Sequence, residues 1–368
     1  MILVKAKRDE LLLPLSAVSG IIERRHTLPI LSNVLIERGA GVLSFLTTDI
    51  EIQITTRSAV EPSGEVRAVT VGARKLVDIL RALPEGAEVT LQQQDKRLQL
   101  KAGKSRFSLQ TLAAEDFPRL AKPVGEVARF ALPQKALRRL IGLVQYAMAQ
   151  QDIRYYLNGL LLVVDEGQLR LVATDGHRLA YAATALTVKA PRQEVIVPRK
   201  TVLELAKLLG EVDDEIRVEL ATSQAAFSFG SVDLVSKLIE GKFPDYTRVI
   251  PAGNKNKLSI KREALRQSLQ RAAILSNEKF RGVRWVLTDG TLKIVSSNTE
   301  QEEAEETLEV DYKGDALDIG FNVNYLLDVL NNVAGAEVHC SFGDSASSAL
   351  LQFPTEPDFR YVVMPMRI

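Results

Sequence analysis

The sequence predicts an α+β protein made of three copies of one unit, each with two helices set against antiparallel strands. Three observations lead there. The first is a corner that returns: Thr174-Asp175 in VATDGHRLA has a counterpart at Thr48-Asp49 in LSFLTTDIEI, 126 residues earlier, and at Asn298-Thr299 in LKIVSSNTEQ, 124 residues later. Asp and Asn favour such corners because their side chains bond nearby backbone N–H groups. The second is that other landmarks return at similar offsets, as a repeat requires. Arg74-Lys75 before LVDIL matches Arg199-Lys200 before TVLEL and Val323-Asn324 before YLLDVL, and Phe117-Pro118 matches Phe243-Pro244 and Met364-Pro365. The third is that an apolar-polar-basic helix start occurs twice in each copy, between short runs such as EVTLQ, RLQLK and IRVEL whose period of two marks half-buried strands.

In chain order, copy one runs over 1–125, with helices near 9–22 and 74–82, and closes at the Pro-Gly break in KPVGE. Copy two runs over 126–252, with helices near 134–149 and 199–209, and closes at PAGNKNK. Copy three runs over 253–368, with helices near 262–275 and 324–332.

A hydrophobic share of 46% with charge at 25% is that of a folded globular chain. The first ten residues lack the apolar core of a signal peptide, and no apolar run reaches the roughly 18 residues of a membrane span, so a cytoplasmic protein without a membrane is expected. The single cysteine, Cys340, excludes an intrachain disulfide and suits a reducing compartment; beside His339 it reads as a buried strand cysteine, not half a metal site. No cofactor is expected.

Net charge is only +1, but its distribution is uneven. The six helical segments, 7–25, 74–82, 132–150, 199–209, 261–275 and 322–332, hold 17 Lys and Arg against seven Asp and Glu, so strands and loops carry the negative balance. Five of the six are net basic; the last has no Lys or Arg and one Asp. Helices lining one surface would attract phosphates without reading bases.

An enzyme is not expected. P-loop, dinucleotide, nucleophile-elbow and HExxH motifs are all missing. Asp49 and Asp175 read as turn formers, and His177 has only Asp175 beside it as a candidate acid. The acidic run 300–306 lacks the Gly and spaced acids of a calcium loop.

Over its whole length the chain resembles the bacterial sliding clamps, the beta subunits of DNA polymerase III. The resemblance is carried by TLPIL at 27–31, QDIRYYLNG at 151–159, ATDGHRLA at 173–180, VIVPRK at 195–200, SKLIEGKFPDY at 236–246, AILSNEKFRGV at 273–283, EEAEE at 302–306 and YVVMPMRI at 361–368. It implies a DNA-clamp fold of three similar domains and a homodimer joined head to tail into a ring, helices inside around double-stranded DNA. It also implies processivity for DNA polymerase III and other polymerases, a separate clamp loader complex, and repair proteins carrying clamp-binding peptides. Matching positions assign DNA contacts to Arg25, Gln151, Tyr155 and Tyr156; the tyrosines stack on bases or form a structural pair at a strand start. Lys135, Arg138, Arg139, Arg199, Lys200 and Arg266 join them as basic helix residues.

The family's peptide-binding cleft maps onto Leu157, Thr174, Gly176, His177, Arg178, Leu179, Pro244, Arg248, Val249, Ser348, Val362, Val363, Met364, Pro365, Met366 and Arg367. Arg178 and Arg248 are expected to frame its rim. Read from residues alone, the tail is a core strand. Open strand edges invite pairing, so the dimer interface is expected to join Lys75, Ile79, Lys104, Arg106, Phe107 and Leu109 at one end to Ile274, Leu275, Glu302, Glu303, Glu305 and Glu306 at the other. The alternative function is a three-domain protein-binding scaffold that does not encircle DNA.

Overall fold

A computed structural model describes residues 2–23, 28–39, 41–58, 60 and 65–368. Each recurring corner is an Asx turn. Asp49 Oδ1 accepts from the backbone N–H groups of Glu51 and Ile52 at 3.0 and 2.8 Å, and Asp175 Oδ1 from those of His177 and Arg178 at 2.9 and 3.0 Å. Asn298 Oδ1 accepts from Glu300 and Glu302, both at 3.0 Å. One side chain thus reverses the chain at the same point of every copy.

The six helices expected are present: α1 Arg8–Val18, α2 Ala73–Ala82, α3 Gln134–Val144, α4 Arg199–Leu208, α5 Arg262–Ile274 and α6 Val323–Asn332. α1 and α3 stop short of their expected ends, giving way to 3-10 turns at Ser19–Ile21 and Gln145–Ala147. After α3 the backbone turns aside because the Ala149 N–H bonds to Leu157 O at 3.1 Å and the Tyr146 carbonyl accepts from Arg178.

The chain groups into two compact units that cut through copy two. One takes residues up to Ala136 with Lys200–Leu238; the other takes Leu137–Arg199 with Ile239–Ile368. Sheets built across the copies are the reason. In the first unit a 12-stranded antiparallel sheet passes from copy one to copy two where Ile52–Arg57 pairs with Val232–Lys237, Ser236 opposite Ile52. In the second a nine-stranded sheet passes from copy two to copy three where Arg178–Ala185 pairs with Glu356–Val363, Leu179 opposite Val362. Both joints use the strand that leaves the Asx corner. The second unit also holds a four-stranded sheet ordered Glu303–Glu309, Thr291–Ser297, Gly282–Thr288, Leu317–Asn322.

Within the second unit, Trp285, Phe321 and Phe342 are fully buried against one another, with Trp285 edge-on to both phenyl rings. A separate cluster gathers Leu157, Leu161, Val172, Leu179, Phe243, Leu350 and Val362. His339 and Cys340 are neighbours on the strand Glu337–Phe342, so one is exposed and the other buried on the opposite face. Burial pushes the Cys340 thiol up to about 12, which suits a packing role.

Candidate functional site

The second cluster does not close at its top. A pocket of about 220 Å³ opens there, lined by Tyr156, Leu157, Thr174, Gly176, Leu179, Phe243, Pro244, Tyr246, Val249, Val362 and Met364, with Arg154 and Arg178 on its walls. Its floor follows from strand register. Leu179 stands opposite Thr174 on one side and Val362 on the other, which brings side chains nearly 190 residues apart onto one face. Thr174 Oγ1 donates to Arg178 O at 2.6 Å and accepts from Gly176 N at 3.1 Å, so its polarity is spent inside the corner.

Gly176 has a structural duty here. Its φ is +90°, and a Cβ would sit 2.8 Å from Arg154 Nη1. Arg154 lies across that bare backbone, with Nε and Nη2 on the two Asp152 oxygens at 3.0 and 2.8 Å and Nη2 also on Asp175 O at 3.0 Å. Those hydrogen bonds from Arg154 hold the Asp152 carboxyl down at about 2. The wall is therefore preorganised.

Nine of the expected cleft residues, Leu157, Thr174, Gly176, Arg178, Leu179, Pro244, Val249, Val362 and Met364, line this pocket. The others do not. His177 is exposed and supplies the carbonyl that accepts from Met364 N at 2.9 Å; Arg248 reaches Asp245 at 3.0 Å in solvent; Ser348 offers its carbonyl to Asn254. Val363 is buried in the strand Glu356–Val363, and the Pro365–Arg367 stretch leads away, with Met366 N bonded to Gly320 O at 2.9 Å. Arg178 is not a free rim cation either, for its side chain is only 9% exposed and its donors are occupied. Sequence reasoning missed Arg154, Phe243 and Tyr246 as lining residues and assigned Tyr156 elsewhere. Phe243 belongs to the repeat landmark Phe243-Pro244, and Tyr246 ends the SKLIEGKFPDY stretch, so both positions carried a signal.

Four of the basic residues expected to meet DNA, Lys135, Arg139, Lys200 and Arg266, already hold acids. Lys135 reaches Asp213 at 2.6 Å, Arg139 Nε reaches Glu356 at 2.8 Å, and Arg266 grips Glu263 on its own helix at 2.6 and 3.0 Å. Arg138 is exposed on α3, and Arg199 donates to Met148 O at 3.3 Å. Lys200 is tied to Glu23 at 2.8 Å and to the nearly buried Asp49, so it braces the first corner. Gln151 is exposed with φ of 54°, and Tyr155, 57% exposed, meets the Tyr156 ring edge-on at 5.8 Å. Arg25 lies outside the described residues.

Half of the expected interface residues, Arg106, Phe107, Leu109, Glu303, Glu305 and Glu306, fall on strands with an open edge. Ser105–Leu112, which holds Arg106, Phe107 and Leu109, pairs along its length with Arg97–Ala102, but with Arg67–Gly72 only through Thr111 and Leu112. Among the described residues, 105–110 therefore keep a free edge. Lys104 is exposed in the turn before this strand, and Lys75 and Leu109 line a groove of about 480 Å³ beside it; Ile79 is half-buried on α2. Glu303–Glu309, which holds Glu303, Glu305 and Glu306, is an end strand of the four-stranded sheet, and Glu302 is bonded to Asn298 just before it. Ile274 is 76% exposed at the end of α5, with Leu275 half-buried next to it.

Family models of the DNA polymerase III beta subunit match this chain in three successive stretches: the N-terminal domain over residues 3–121, the central domain over 131–245 and the C-terminal domain over 247–367. The beta sliding clamp of Pseudomonas aeruginosa is 48% identical over 363 residues, 98% of this chain and 99% of that protein; the one from Escherichia coli is 46% identical over 362 residues with the same shares. A crystal structure of the DNA polymerase sliding clamp from Pseudomonas aeruginosa superposes with a TM-score of 0.96 at 46% identity, each chain fully covered. The Caulobacter crescentus pol III beta structure gives 0.93 at 39% identity, with 99% of each chain covered.

Proposed function

Because the chain belongs to the bacterial beta sliding clamp family, the beta subunits of DNA polymerase III, we propose that two copies close head to tail around duplex DNA. The ring then holds the replicative polymerase to its template. It is a processivity factor that acts by topology; the cleft docks polymerases, the clamp loader and repair proteins in turn, one short peptide at a time. The loader supplies the energy of opening, since this chain carries no nucleotide-binding motif.

The single observation that carries the ring is the pair of open edges. Copies one and two, and copies two and three, are joined by the strand leaving an Asx corner and a later strand, Val232–Lys237 or Glu356–Val363. The strand leaving the third corner, Glu303–Glu309, lacks such a partner among the described residues; the matching strand of copy one, Ser105–Leu112, keeps a free edge. A second subunit supplies each with the other. Basic Lys104 and Arg106 then meet the acidic 302–306 run, which favours this heterologous pairing over like against like. Two such contacts close a ring.

Sliding follows from weak contacts. The exposed ion pair Lys135–Asp213 contributes at most about 1 kcal/mol, so this cation exchanges an acid for a phosphate at little cost. Nothing in those contacts reads a base, and no position on DNA is preferred. Loaded subunits should stay on a closed circle and fall off once it is cut. Loss from the uncut circle at the same rate would favour the scaffold reading. Replacing Lys135, Arg138, Arg139 and Arg266 together by Glu should shorten retention and flatten its salt dependence by about 0.9 in log–log slope for each phosphate no longer neutralised, with dimer mass unchanged. An unaltered salt slope would put the basic face elsewhere.

A further inference from the structure

α6 breaks the charge pattern of the other helices, since residues 322–332 hold no Lys or Arg and one acid, Asp328. Asp328 Oδ2 accepts from Arg178 Nη1 at 2.5 Å. Around that contact the Arg178 guanidinium is almost fully used. Nε donates to Asp175 Oδ2 at 3.0 Å, Nη2 to the Tyr146 carbonyl at 2.6 Å, and the Tyr325 ring lies under it with 4.4 Å to the centroid. Tyr361 closes the cage by donating its hydroxyl to Tyr325 O at 2.8 Å. Burial disfavours the cation, yet Tyr361, Asp328 and Asp175 outweigh it and leave its pKa raised.

Of the two carboxylates, Asp175 belongs to the same corner as Arg178, whereas Asp328 comes from a helix 150 residues on. Of these two, only Asp328 ties the arginine by charge to a distant element; the Tyr325 ring of the same helix and the Tyr146 carbonyl also hold it. Arg178 is in turn bonded to the cleft from both ends: its carbonyl accepts from Thr174 Oγ1, its neighbour is Leu179, and its strand pairs it with Val363 and Leu179 with Val362. We infer that Asp328 is a positioning residue for the peptide cleft, fixing through Arg178 the spacing of Leu179 and Thr174 against Val362 and Met364. Arg178 accordingly acts as a fixed part of the pocket wall, and α6 uses its one charge for this. The role of Asp328 rests on the cleft being the peptide site.

The test measures binding of a fluorescein-labelled heptapeptide, a Leu and a Phe in a Gly/Ser background, to the full-length chain by anisotropy. Asp328→Ala should raise Kd about tenfold at unchanged dimer mass, and Asp328→Asn, which keeps an acceptor, only about threefold. Arg178→Ala should raise Kd as well, and adding Asp328→Ala to it should change nothing further, a result that general loosening of the fold would not produce. A Kd within twofold of the parent in Asp328→Ala, or additive effects in the double variant, overturns the role of Asp328. Met364→Asp serves as the control for the cleft itself. If it leaves Kd unchanged, the peptide site is elsewhere; if it abolishes binding while Asp328→Ala does nothing, only the positioning role fails.

Discussion

A Leu179→Asp chain is expected to lose binding of a Leu- and Phe-bearing peptide altogether, with Kd raised at least about 100-fold, roughly 3 kcal/mol. Peptide grooves draw most of their affinity from a few buried anchors, each costing on the order of 2 kcal/mol when removed. Leu179 is central to the pocket, and a carboxylate there has no cation free to meet it, because Arg154 and Arg178 are already engaged. Leu179 is also only 2% exposed and part of a packed cluster, so the same change places an unpaired charge in the core of the free protein and lowers its melting temperature. Met364→Asp separates the two effects. At 39% exposure it lines the pocket without plugging the core, and it should cost most of the peptide affinity at nearly unchanged stability. Full affinity in both variants would put docking somewhere else on the molecule.

Monomers are the expected result of combining Ile274→Ala with Leu275→Asp. Sedimentation equilibrium should then give the chain mass of 40.6 kDa in place of twice that value. Ile274 is 76% exposed at the end of α5, and Glu303–Glu309 runs beside that helix, with Arg271 of α5 paired to Glu306 at 2.6 Å. Burying Ile274 alone against a partner would contribute on the order of 2 kcal/mol per interface, and a ring has two interfaces. A charged Leu275 adds desolvation with no counter-ion assured. Retention on circular DNA should vanish with the dimer. A tight dimer in this variant would refute the assignment of the interface and leave the edge strands unexplained.

Much of the fold was legible in the residues. The Asx corners, the six helix starts and the alternating strands are local features, set by turn chemistry and by periods of 3.6 and 2, and all six helices formed where those signals lie. Helix ends were less legible: α3 stops at Val144 because the backbone beyond it is used by Leu157 and Arg178, partners no local window contains. The grouping of the chain was hidden for a related reason. Repeats at a third of the length mark where each copy starts, but they carry no sign that hydrogen bonding across the joints draws each half of copy two into a neighbour's sheet.

For the candidate site, residue types and motifs identified Leu157, Leu179, Val362 and Met364 as members of one cleft only through family resemblance, because the residues are far apart in the chain and apolar strand positions look alike whether they face a core or a groove. The sequence by itself determined the repeat, the corner residues and the bias of positive charge toward the helices, since turn chemistry and helix composition are set by neighbours within a few positions and the repeat is the return of such local stretches at a constant offset. Tertiary structure alone decided that Arg178 is caged by Asp175, Asp328 and Tyr325 and does not line a rim, that Lys200 is tied to Asp49, and that Arg154 lies across Gly176. A charged side chain's partner is set by which distant elements the sheets bring beside it. That partner decides whether the charge is available to a ligand or used up within the fold.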